Sequence, residues 1–283
     1  MAILELADGR KLYYVDEGEG QTFVFVHGWA GDSDVYIPIC DALKDRYRCI
    51  RFDLWGHRRS GGHPQKSPEL KDLARDLNDL MEALNVKKPI LAGWSMGALT
   101  VLEYARRFGE RKLKGIVLVD MAPCLLNDAD WKLGAQGGEL TKERFEAALP
   151  EYQAHFSEFL KGFFRRAKPS LPEASILQIV RDKTEHYDTR ALLSLYESMI
   201  RADERPLLPR LKKPVAIFGA DHGLFRPETW DYYVEAVRAP LMKVVFEDAS
   251  HELIREYPEK FTKAFESFAV FMGSFQPDER KLL

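Results

Sequence analysis

Gly93-Trp94-Ser95-Met96-Gly97 is the stretch of this chain whose residue types and spacing could do covalent chemistry. It follows an apolar run, Pro89–Ala92, that reads as a strand, and it precedes a helix-like stretch, Ala98–Phe108. A serine on such a strand–turn–helix corner has its hydroxyl lifted above the sheet, and the flanking glycines let the turn close. The hydroxyl is a weak nucleophile until a base takes its proton. Among seven histidines, His251 is the candidate base. It lies beyond the last strand and just before the C-terminal helix, which suits the chain order of nucleophile, acid, histidine. His27 reads as a residue that shapes the turn after its strand. His57 and His63 read as loop residues, because no third ligand stands nearby at metal spacing.

An acid must orient the histidine and stabilise the imidazolium that forms. Asp221, in Phe218-Gly-Ala-Asp-His-Gly223, and Asp120, closing Val117-Leu-Val-Asp120, both end strands and both precede His251. The C-terminal ends of parallel strands are where ligands meet such sheets. Asp221 is placed narrowly first and Asp120 is kept beside it. The oxyanion formed by attack on a carbonyl needs two fixed N–H donors. Met96 supplies one, directly after the nucleophile. The loop His27-Gly28-Trp29-Ala30 supplies the other, with Trp29 first among its residues and its indole a wall for an acyl pocket.

These residues need a scaffold, and the hydrophobic pattern describes one. Ile3–Leu6 and Lys11–Val15 flank Asp8-Gly9, a hairpin signal. Thr22–Val26, Arg48–Phe52, Pro89–Ala92 and Gly115–Val119 are short apolar strands, and Val35–Leu43 has helical spacing with Asp32 or Ser33 as its cap. Leu70, Leu73, Leu77, Leu80, Met81 and Leu84 make residues 69–85 an amphipathic helix. Alternation of this kind implies parallel strands covered on both faces. It breaks at 121–210, where helical stretches 143–166, 173–181 and 190–201 occur without a strand. It then resumes with strand Pro214–Phe218, helix 227–236, strand Lys243–Phe246 and helix 258–272. Residues 1–120 and 211–283 therefore read as one core, with 121–210 a helical lid. Gln276–Leu283 reads as a loose polar tail.

Composition narrows the partners. The 283 residues carry 41 Lys plus Arg against 44 Asp plus Glu, a net charge of −3, which gives no reason to expect nucleic acid. No run approaches a membrane span, and the N-terminus lacks the basic and apolar regions of a signal peptide. Cys40, Cys49 and Cys124 form no CxxC pair and read as buried thiols of a reducing, cytoplasmic compartment.

The chain resembles the α/β-hydrolase fold superfamily over nearly all of residues 5–272. The likeness rests on His27-Gly28-Trp29, Asp53-Leu-Trp-Gly-His-Arg-Arg-Ser60, Gly93-Trp-Ser-Met-Gly97, Ser250-His251 and Glu256-Tyr-Pro-Glu-Lys-Phe261. The pair His-Gly-Trp and Gly-Trp-Ser is similar to the pimeloyl methyl ester carboxylesterase group, and that resemblance implies oxyanion donors at Trp29 and Met96. Three departures stand out. The family usually has Gly-His-Gly-x-Ser where Gly56-His57-Arg58-Arg59-Ser60 stands, which sets a bulky charge near the site entrance. Ser250 replaces the usual glycine before the histidine. The usual spacing of the acid would land on His222, one position beyond Asp221.

Relatives that form an alkyl-enzyme ester, the haloalkane dehalogenases and epoxide hydrolases, need aspartate at the corner, so Ser95 points to acyl transfer instead. The expectation is a serine carboxylic-ester hydrolase acting on a small-molecule acyl ester, with no metal or organic cofactor. Its rivals are a thioesterase, acyltransferase or cofactor-free perhydrolase using the same site, and a non-catalytic binding protein. Trp131, Phe145, Tyr152, Phe156, Phe159, Phe163 and Phe164 read as lid packing, with an acyl pocket as the sharper alternative. Lys161, Arg165, Arg166 and Lys168 read as a solvated face, the alternative being a dock for an acidic acyl carrier protein.

Overall fold

The computed structural model describes residues 1–63 and 65–274. Its eight strands are β1 (Ala2–Glu5), β2 (Lys11–Glu17), β3 (Gln21–Val26), β4 (Tyr47–Phe52), β5 (Ile90–Trp94), β6 (Gly115–Val119), β7 (Val215–Ala220) and β8 (Leu241–Phe246). They form one sheet in the order β1-β2-β4-β3-β5-β6-β7-β8. Pairing is antiparallel for β1–β2 and β2–β4 and parallel from β4 onward. The Asp8-Gly9 hairpin forms as expected, with Gly9 in the left-handed region at φ 80°.

Two layers of helix cover the sheet, and strand residues alternate between them because side chains alternate across a strand. Val24, Val26, Leu91, Ile116, Leu118 and Ile217 face one core, together with α2 (Leu70–Ala83) and α3 (Met96–Phe108). Phe23, Phe25, Ala92, Val117, Val119 and Phe218 face the other. That second layer is built by α1 (Ile37–Leu43) and the C-terminal helix over Pro258–Gly273. Strands buried on both faces explain why these runs are continuously apolar rather than alternating.

Four helices lie between β6 and β7: α4 (Lys142–Ala154), α5 (Phe156–Ala167), α6 (Glu173–His186) and α7 (Thr189–Arg201). The stretch expected as one helix over 143–166 is two, because His155 leaves the helical region at φ −127°, ψ 52°. The helix expected over 173–181 runs on to His186. α8 (Glu228–Ala236), a single turn α9 (Leu253–Glu256) and α10 (Pro258–Gly273) complete the chain. The Val35–Leu43 helix begins as a 3-10 turn at Ser33–Tyr36, capped by the Asp32 side chain on the Asp34 N–H. The expected tail at 276–283 lies outside the described residues.

Candidate active site

Ser95 sits between β5 and α3 at φ 55°, ψ −124°. A non-glycine residue is held in that region only where its surroundings over-determine it. Here the Ser95 N–H donates to Val119 O at 2.9 Å, and its carbonyl accepts from Ala98 N at 2.8 Å. A Cβ on Gly93 would collide with the Gly97 carbonyl, and one on Gly97 with the Val26 carbonyl, so the corner admits only glycine at both places.

β6 ends beside β5, and its next residue, Asp120, points into the same region. Its Oδ2 meets His251 Nδ1 at 2.6 Å, while its Oδ1 accepts the Ala220 N–H at 2.8 Å. Both residues are buried, at 0% and 2% exposure. His251 is steadied further by the Trp94 indole N–H, which donates to the His251 carbonyl at 3.0 Å. Asp221 lies elsewhere. Its two oxygens accept the Asp248 and Ala249 N–H groups at 3.0 and 3.1 Å. Burial pushes the Asp221 carboxyl up, but these backbone donors outweigh it and hold the group below its usual range. The order of the two aspartates expected from sequence is thus reversed: the carboxylate against the histidine is that of Asp120. Asp221 braces the turn that leads from β8 to His251.

Ser95 and His251 line one cavity of about 400 Å³ with Gly28, Trp29, Phe163 and Lys183 among its walls. No hydrogen bond joins the Ser95 hydroxyl to His251 among the described residues; such contacts often tighten only when substrate binds. The loop after β3 presses on the nucleophile, since a Cβ on Gly28 would lie 3.0 Å from that of Ser95. Among the described residues neither the Trp29 nor the Met96 backbone N–H has a hydrogen-bond partner, as donors awaiting an oxyanion would require. The Trp29 indole packs against Phe163 at 4.9 Å between ring centres and donates to Leu192 O at 2.7 Å.

The histidines read as structural are placed accordingly. His27 Nε2 accepts the Leu54 N–H at 2.9 Å, and His57 Nε2 accepts the Ala30 N–H at 3.2 Å. Burial, reinforced by His27 nearby, pushes His57 down to about 3, so it stays neutral and can accept. Arg58 and Arg59 are drawn away from the cavity. Arg58 Nη1 binds Asp34 Oδ2 at 2.8 Å, and Arg59 Nε binds the buried Asp53 at 2.7 Å. The entrance charge expected from the sequence is therefore absent from the cavity walls. Ser250 in place of glycine adds one bond, its hydroxyl donating to Glu256 Oε1 at 2.8 Å, beside the backbone N–H that donates to Oε2 at 2.8 Å.

Of the aromatics between β6 and β7, Phe163 and Phe164 line the cavity, whereas Phe145 is fully buried and Trp131 packs on Tyr232. Lys161 pairs with Glu158 at 2.7 Å, and Lys168 lies 3.5 Å from Glu256. Sequence reasoning missed the acids Asp32, Asp34 and Asp53 as a group, because Arg58, Arg59 and Tyr187 reach Asp34 and Asp32 across 24, 25 and 155 residues, and Asp53 alone has its partner, Arg59, in the same loop. Asp221, His222 and Asp248 offer three ligand atoms within 4.8 Å of one another, on the protein surface rather than in the cavity.

A family model for the alpha/beta hydrolase fold matches residues 21–256. A pimeloyl-[acyl-carrier protein] methyl ester esterase of Nitrosomonas europaea is 25% identical over 257 residues, covering 88% of this chain and 96% of that protein. A non-heme chloroperoxidase of Kitasatospora aureofaciens is 29% identical over 173 residues, 60% of this chain and 62% of that protein. Among solved structures, an esterase from Exiguobacterium antarcticum superposes with a TM-score of 0.83 at 23% identity, covering 95% of this chain and 98% of that one. At that identity the likeness speaks for the fold.

Proposed function

Because the chain belongs to the alpha/beta hydrolase fold family, we propose that it is a serine hydrolase that cleaves carboxylic esters through an acyl-serine intermediate. The observation that carries this reading is the buried 2.6 Å contact of His251 Nδ1 with Asp120, beside a serine held on a strained corner. In this reading His251 takes the Ser95 proton as Oγ attacks the ester carbonyl, and Asp120 stabilises the imidazolium. The Trp29 and Met96 N–H groups receive the oxyanion. His251 then returns the proton to the departing alkoxide, and water, activated by the same histidine, releases the acid. The helices between β6 and β7 act as a lid that supplies an apolar wall for the acyl chain. The free, buried thiols Cys40, Cys49 and Cys124 suit a reducing compartment, and we place the protein in the cytoplasm.

Hydrolysis of p-nitrophenyl esters by wild type and Ser95→Ala tests the proposal. Wild type should turn over, and the variant should lose at least about four orders of magnitude in kcat. A folded wild type that cleaves no ester sinks the reading. The chloroperoxidase relative favours one second reading, in which peroxide instead of water resolves the acyl-serine and yields a peracid. Peracid formation that outruns hydrolysis at millimolar peroxide would decide for it. Carrier-protein delivery, suggested by the activity for which the Nitrosomonas relative is named, has less to support it, since Lys161 and Lys168 already have acidic neighbours within the chain.

A further inference from the structure

The loop that carries the Trp29 N–H is held at its start by β3 and His27, and beyond Ala30 by the Ser33 N–H, which donates to Asp53 Oδ1 at 2.9 Å. Ala30 is in the left-handed region at φ 53°, a conformation that an alanine does not hold unaided. Two residues on, the buried Asp32 is gripped from the insertion between β6 and β7. The Tyr187 hydroxyl donates to Asp32 Oδ2 at 2.9 Å, and Lys183 Nζ donates to that hydroxyl at 2.6 Å. Lys183 also lies 3.8 Å from Asp32 and 3.1 Å from Asp182. Asp32, Lys183 and Tyr187 are 6%, 8% and 7% exposed. Burial pushes the Asp32 carboxyl up, but Lys183, the Tyr187 hydroxyl and Arg58, whose Nη1 lies 3.2 Å from Oδ2, outweigh it and keep it ionised.

Burying a lysine, a carboxylate and a phenol together is unfavourable unless each satisfies the others. Packing alone would be served at this place by apolar residues. The Tyr187 ring also stands 5.7 Å from that of His57, the residue that accepts the Ala30 N–H. Two of the supports of the loop's far end, the Asp32 carboxylate and His57, therefore meet at one side chain of the insertion, beside the Ser33 bond to Asp53 and Arg58, 3.2 Å from Asp32. Lys183 lines the cavity as well, so the tie lies at the edge of the space that substrate fills.

We propose that Tyr187 and Lys183 are positioning residues for the oxyanion loop: through Asp32 they hold the Trp29 N–H in its donating direction. The proposal rests on the hydrolase reading for its consequence in turnover, but not for the tie itself. The insertion then contributes to the chemical step as well as to substrate binding, and its displacement loosens the oxyanion donors.

The test pairs amide hydrogen exchange with steady-state kinetics on Tyr187→Phe, which keeps the ring, and on Lys183→Met and Lys183→Arg. Exchange in residues 28–33 should speed by about tenfold in Tyr187→Phe and Lys183→Met, with residues 93–100 unchanged as the internal control of folding. Ester kcat should fall by about tenfold with KM within about twofold, the pattern of a contact that matters in the transition state. Lys183→Arg, which retains the charge, should stay within about threefold of wild type. Unchanged exchange in all three variants overturns the proposal, as does faster exchange with kcat intact. A rise in KM alone overturns it too, because it would make Lys183 a substrate contact only. If wild type cleaves no ester, the hydrolase reading fails, and the exchange arm still decides whether the tie orders the loop.

Discussion

At the scale of single residues, two aspartates are chemically equal and differ only in what surrounds them. Asp120 divides its oxygens between the Ala220 N–H and His251, so one lone-pair face remains for the imidazole. Asp221 spends both oxygens on backbone donors of the β8 turn. Asp120→Asn should therefore lower kcat by about three to four orders of magnitude, since an amide neither favours the required tautomer nor stabilises the imidazolium. Asp221→Asn should leave kcat within a few-fold and instead cost about 1 kcal/mol of stability, measured by urea unfolding. The opposite ranking in the kinetics would return the role to Asp221.

Among the elements, the return from α7 to β7 is where the insertion rejoins the sheet, and its stem is clasped by charge. Glu204 N–H donates to Pro123 O at 2.8 Å, so both ends of the insertion meet there. The Glu204 side chain is 1% exposed, pairs with Arg106, and has one oxygen without a partner among the described residues. Burial, opposed by Arg106 and aided by Glu103, pushes its carboxyl up to about 7. A folded pKa above the unfolded one means that the native state binds the proton more tightly. This group's contribution is then complete at low pH and is lost as pH rises from the ordinary glutamate range through 7. Glu204→Gln, which keeps the neutral shape, should gain stability relative to wild type over that same rise. Chemical denaturation of both proteins at pH 5 and pH 8 checks it, and a constant difference between them would count against a protonated Glu204.

Seen as a whole molecule, the site belongs to no single segment. The sheet order sets β3, β5 and β6 side by side, so Trp29, Ser95 and Asp120 emerge together at one end, and the loop beyond β8 brings His251 back over them. The insertion closes the space with Phe163 and Phe164, leaving the cavity of about 400 Å³. If its apolar wall receives an acyl chain, kcat/KM for p-nitrophenyl esters should rise by up to about fourfold per added methylene until the cavity is full. Phe163→Ala should move that optimum to longer chains. A series flat from acetate to decanoate would show that the chain does not enter.

The amino-acid order alone determined the parallel strands and the corner at Ser95, and it pointed to His251, Trp29 and Met96 as the other residues of the proposed site. Each of these depends on local pattern: a run of apolar residues, two glycines at fixed spacing, or a place relative to the last strand. Tertiary structure decided what local pattern does not encode. The choice of Asp120 over Asp221 turned on which carboxylate still had an oxygen free after its backbone donors were served. The retreat of Arg58 and Arg59 from the cavity turned on acids 24 and 6 residues away in sequence. The grip of Tyr187 on Asp32 spans 155 residues. Hydrogen bonds and ion pairs act over a few ångströms, so between distant segments they exist only once the sheet has brought those segments together.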